Sequence, residues 1–93
     1  MIQEIRTSMS PAAVLAAAKG FFPKQSGIYA AYPEQEGEAY VTFRGQGGEE
    51  LVIGAVAEGG VTTVRGSTYL FDQQVGRFLT TLDPAPFVEQ VTE

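Results

Sequence analysis

The chain has 93 residues, eleven of them Gly, with 44% apolar and 18% charged side chains and a formal net charge of −5. A chain of this length makes one domain and buries roughly 60–65% of its unfolded surface, enough for a single small core. The acidic balance argues against nucleic acid and against an anionic membrane surface, and the absence of both Cys and His excludes disulfides, thiolate catalysis, zinc fingers and the usual imidazole base or metal ligand.

The first element is "IQEIRTSM", residues 2–9, which alternates as a strand with Ile5, Thr7 and Met9 on one side and Glu4, Arg6 and Ser8 on the other. "SPAAVLAAAKGFFP" follows with helix punctuation. Ser10 reads as the N-cap and Pro11 as the first helical residue, where a missing N–H costs nothing. Lys19-Gly20 reads as the C-terminal cap. Val14, Leu15, Ala18, Phe21 and Phe22 form the apolar face. The segment has no basic leader before it, and no stretch reaches the ~18 apolar residues of a membrane span. The chain is therefore expected in the cytoplasm.

Four strands are expected next: "SGIYAAY" (26–32), "AYVTF" (39–43), "LVIGAVA" (51–57) and "VTTVRGSTY" (61–69). The turns between them are "PEQEGE", "RGQGGEE" and the Gly59-Gly60 pair. Short glycine-rich turns make an antiparallel meander. Asp72 reads as the N-cap of a last helix, with Phe71, Val75, Phe78, Leu79 and Leu82 inward and Gln73, Gln74, Arg77, Thr80 and Thr81 outward. Asp83-Pro84 stops it, and residues 83–93 form a tail carrying Phe87, Val88 and Val91. The fold class is α+β, ordered β-α-β-β-β-β-α: a five-stranded antiparallel sheet with two helices on one face, in a single domain over residues 1–82.

Turn length sets the register. A two-residue hairpin at Gly59-Gly60 places Glu58 opposite Val61, Ile53 opposite Gly66 and Gly54 opposite Arg65. A three-residue loop at Gln46-Gly47-Gly48 places Val41 opposite Ile53 and Phe43 opposite Leu51, which gathers the large aliphatics on one face. Leu70 is expected to continue that inner face, and Gly66 with Ala55 to admit a helix near Gly76. The outer face then carries Tyr40, Thr42, Arg44, Val52, Val56, Thr63, Arg65, Ser67 and Tyr69. Tyr40, Gly54 and Arg65 share a row, so Arg65 is expected to reach the Tyr40 ring, and Arg44 faces Glu50.

Tyr and Arg are enriched at interface hot spots, and Val52 and Val56 beside the tyrosines leave an apolar patch to cover. Tyr40, Arg44, Val52, Arg65, Ser67 and Tyr69 are therefore the candidate surface for a homodimer or a protein partner. Three other constellations carry less. Glu34, Glu36, Glu38 and Glu58 are expected to gather at one end of the meander, without the spacing of a calcium loop. "GQGGEE" precedes a strand and ends in carboxylates, which makes it a turn and not a phosphate cradle. Ser67, Asp72 and Arg77 could be drawn as a catalytic set, but catalysis without His or Cys would rest on a perturbed carboxylate. Phe21, Tyr29, Phe43 and Phe78 are the candidate lining of an apolar pocket between helix and sheet, filled by a small apolar ligand or simply by the core. No cofactor is expected.

The element order over residues 2–82 resembles a reduced START-like helix-grip domain, and the bare order is also similar to the TBP-like fold. The first resemblance implies a binder or carrier of a small apolar ligand. The second implies a saddle, which would need basic residues to hold DNA. The leading functional expectation is a non-enzymatic module that self-associates through the open sheet face. An apolar-ligand binder is the alternative, and a carboxylate-based enzyme the third.

Overall fold

The computed structural model describes residues 1–84. Five strands form one antiparallel sheet: β1 (Ile2–Thr7), β2 (Ala31–Glu36), β3 (Tyr40–Gly45), β4 (Glu50–Glu58) and β5 (Val61–Thr68). Their spatial order is β1-β5-β4-β3-β2. The helices are α1 (Pro11–Phe21) and α2 (Asp72–Thr80). α1 lies over β3, β4 and β5, and α2 lies over β1 and β5. The α+β architecture expected from the sequence is the one observed. Within the described residues no helix is long and apolar enough to cross a membrane. The proposed Phe87, Val88 and Val91 cluster lies outside the described residues.

Both hairpin registers follow from their glycines. Gly59 and Gly60 have φ of 62° and 82°, as a type I′ turn requires, and Glu58 faces Val61. Gly48 has φ of 89°, and Gly45 N–H donates to Glu49 O at 2.8 Å, closing the three-residue loop. Val41 accordingly faces Ile53, Phe43 faces Leu51, and Ile53 faces Gly66.

The inner face is the core. Val41, Phe43, Leu51, Ile53, Ala55 and Val64 are buried beneath Val14, Leu15, Ala18 and Phe22 from the α1 side and Phe71, Val75, Phe78 and Leu79 from the α2 side. The α1 cap is as expected: Ser10 Oγ accepts from Ala13 N–H at 3.1 Å, with Pro11 at the first helical position. Gly20 does not end the helix. α1 runs through it to Phe21 and then tightens into a 3₁₀ turn over Phe22–Lys24, which seats Phe22 in the core.

Four further expectations are corrected. The second strand begins at Ala31, because Gly27–Tyr29 forms a second 3₁₀ turn with Gly27 at φ 54°. It continues through Pro33 to Glu36, residues expected in a turn. Pro33 is accommodated because β2 is an edge strand, and the register shifts between Pro33 and Gln35. At the other end of the sheet, β5 stops at Thr68, so Leu70 is exposed instead of lining the core, and Phe71 enters in its place. Asp72 is the first residue of α2, not its cap: Phe71 holds the cap position, and its N–H donates to Thr68 Oγ1 at 3.2 Å. Gln74, expected outward, is only 5% exposed. It falls three residues after Phe71 and four before Phe78, on the stripe that faces the sheet.

The close approach of helix to sheet occurs at Gly66, as its lack of a side chain suggested. Its neighbour is Val75, not Gly76: a Cβ on Gly66 would stand 2.5 Å from Val75 Cγ1. Asp83 also belongs to the packed body. Its carbonyl accepts from Thr7 Oγ1 and from Ser8 N–H, and Pro84 bridges to Thr7.

Candidate interaction surface

Both helices pack on the inner face, so no described element covers the outer face of the sheet. Strand alternation dictates what stands there. The register gives one row as Ile2, Ser67, Val52, Thr42 and Gln35, and the next as Glu4, Arg65, Gly54 and Tyr40. A third row pairs Arg6, Thr63 and Val56, and Arg44 stands opposite Glu50 and Tyr32. The register thus places Tyr40, Arg44, Val52, Arg65 and Ser67 on this face, and Tyr69, one residue beyond β5, lines the same cleft as Arg44, Val52 and Ser67. Tyr69 is 90% exposed, Val56 60% and Ile2 55%.

Arg44 is the most constrained group on the surface. Its Nη2 lies 2.8 Å and its Nε 3.2 Å from Glu34 Oε1, and its Nη1 donates to Gly48 O at 3.0 Å. Glu50, opposite it in the register, is the more distant partner at 3.9 Å. Glu34 lies at the β2 irregularity, two residues along from Tyr32, which faces Arg44. The hydrogen bonds and charge of Arg44 hold the Glu34 carboxyl below its ordinary range, and Glu34 in turn raises Arg44. These donors all lie in the guanidinium plane, so the flat faces of Arg44 are left for stacking.

Arg65 differs. It makes no ion pair, hydrogen bond or ring contact among the described residues, so the expected contact with Tyr40 within one molecule is not formed. Gly54 separates the two in their row. A cleft of about 700 Å³ opens on the same face, lined by Arg44, Val52, Ser67 and Tyr69 with Ile2 and Leu70 among its walls.

The remaining candidates are distributed. Phe21, Phe43 and Phe78 pack around Phe22, whose ring centroid is 5.1 Å from both Phe21 and Phe43 and 5.3 Å from Phe78. Tyr29 is apart from them, half exposed and against Phe71 at 6.2 Å. Ser67 is on the open face while Arg77 stands on the helix covering the other one, so the sketched catalytic set is not assembled. The acidic residues do not gather as expected: Glu34 turns to Arg44, and Glu36 pairs with Lys19 at 2.8 Å. Among the described residues no group of three or more acidic side chains is placed to hold a metal ion.

Sequence reading missed Ile2, Tyr32 and Leu70 as parts of this surface. Ile2 was recoverable, because the alternation that turns Ile5 and Thr7 inward turns Ile2 outward. Tyr32 was obscured by the misplaced start of β2, and Leu70 by the assumption that β5 continues. The chain matches no protein-family model, no curated protein and no solved structure. The likeness to helix-grip and TBP-like folds therefore rests on the order of elements alone.

Proposed function

We propose that this protein is a small non-enzymatic interaction module that self-associates through the open face of its sheet. The carrying observation is a sheet face that no described element covers, bearing tyrosines, valines and an arginine, Arg65, with no partner among the described residues. Sheets normally bury an apolar face against another layer, and exposed apolar area rimmed by polar groups marks contact surfaces. Charge supports a second copy of the chain as the partner. Short of the hairpin tip, Arg6, Arg44 and Arg65 balance Glu4, Glu34 and Glu50, so this face is near neutral in a chain of net charge −5. Two such faces approach without the repulsion that other pairs of surfaces would meet.

The β2 edge supports the same reading. β2 carries Pro33, an irregular register and charged residues, devices that blunt strand-to-strand addition. The aromatic cluster around Phe22 fills the space that an apolar ligand would need, which favours the interaction module over a ligand carrier. Light scattering tests the reading. The wild type is expected to show a dimer mass that rises with concentration, and Arg65→Glu and Tyr40→Ala to lower it toward the monomer. A wild type that stays monomeric at high concentration would sink the proposal.

A further inference from the structure

The outer-face register holds a pattern that says how two copies meet. Val52 sits on the central strand β4, with β3 on one side and β5 on the other. Four large side chains stand at the corners around it. Arg44 and Tyr40 flank Thr42 on β3, and Thr42 is opposite Val52. Arg65 on β5 and Tyr69, one residue beyond its end and in one cleft with Val52 and Ser67, flank Ser67, which is opposite Val52 from the other side. Arg44 and Tyr69 are at one end, Tyr40 and Arg65 at the other. The arginines thus occupy one diagonal and the tyrosines the other.

We infer that the chain forms a two-fold dimer whose axis passes through Val52, so that Arg44 and Arg65 of each copy stack on the tyrosines of its mate. The inference rests on the proposed self-association and adds its geometry. In a two-fold dimer the same patch serves both copies, so it must be self-complementary. For sheets packed face to face the axis lies in the interface plane. An axis along β4, or one across it, carries each arginine corner onto a tyrosine corner. Only a diagonal axis carries arginine onto arginine, and that axis would cross the strands at near right angles. Aligned packing, with strand directions within about 30°, is the arrangement that the charges permit.

The local chemistry fits this exchange. A guanidinium over a tyrosine ring is attracted by the negative ring face, more strongly once water is excluded. Arg44 is already held flat by Glu34 and Gly48 O, so it loses little freedom on stacking. Arg65 gains a partner, which it lacks among the described residues of its own molecule. Val52, half-buried in one copy, meets Val52 of the other at the centre, where interfaces are most apolar.

The chain has no cysteine, so single-cysteine variants give a clean test. Val52→Cys, treated with a bis-maleimide spanning the ~10 Å between packed sheets, is expected to give a covalent dimer. Adding Arg65→Glu should abolish that product. Tyr40→Phe and Tyr69→Phe keep the rings and should leave the dissociation constant within about threefold, whereas Tyr40→Ala and Tyr69→Ala should each raise it about tenfold or more, because each contact occurs twice. Four results overturn the inference. A monomeric wild type, or linking only at Arg77→Cys on the helical face, removes it together with the proposed function. A dimer that links at Val56→Cys but not at Val52→Cys removes this axis and leaves the open-face reading standing. Linking at Val52→Cys with no effect of either alanine variant removes the stacking.

Discussion

Arg44 shows how one side chain can be read from its neighbours. Its opposition to Glu50 follows from hairpin register, yet its main partner is Glu34 on the neighbouring strand β2, two residues from Tyr32. That partnership has a pH signature. Glu34 is depressed below its unfolded value, so its contribution to stability is fully present above the ordinary carboxylate pKa of about 4.3. The contribution is lost as pH falls through the lower folded value. Both groups are solvated, so the effect on stability is small. The expected outcome of a side-chain NMR titration is a Glu34 midpoint below the ordinary glutamate value, returning to it in Arg44→Gln. A Glu34 midpoint unchanged by that substitution would contradict the pairing. Residue polarity by itself was a poor guide elsewhere. Polarity alone points Gln74 to solvent, although the helical spacing from Phe71 to Phe78 places it on the sheet-facing stripe.

Among the elements, legibility tracked how local the determining physics is. The two hairpins β3–β4 and β4–β5 were readable to the residue, because glycine at positive φ and loop length set register within a few positions. The start of α1 was readable from Ser10 and Pro11 for the same reason. The bounds of β2 were not. Pro33 reads as a turn residue unless the strand is known to lie at an edge, which is a property of the assembled sheet. The end of α1 was likewise set at a distance, by the space around Phe22 beneath α2 and β3 rather than by Gly20. The spacing between α2 and the sheet is testable at this scale. A methyl group at Gly66 would meet Val75 at 2.5 Å, so Gly66→Ala is expected to cost about 1–3 kcal/mol in urea unfolding through overpacking. Val75→Ala opens a space there, and the double variant should lose less than the sum of the two single losses. Strict additivity would show that the two residues do not share that contact.

For the whole molecule, the division of labour between the two sheet faces is the main result. One face takes the helices and nearly all the large aliphatic and phenylalanine side chains; the other keeps tyrosines, arginines and small residues and has no second layer among the described residues. The six-residue surface was visible in the sequence because antiparallel register can be counted from turns. The separation of Arg65 from Tyr40 was not, because whether two long side chains meet across a glycine depends on rotamers and not on register. Balanced charge on an acidic chain, a blunted β2 edge and an arginine without a partner among the described residues all favour contact between two copies through the open face. The most direct measurement is a dilution series of backbone amide chemical shifts. Shifts are expected at Tyr40, Thr42, Val52, Gly54, Arg65 and Ser67, with the exposed positions of α1 and α2 unmoved. No concentration dependence, or shifts confined to the helical face, would contradict the account.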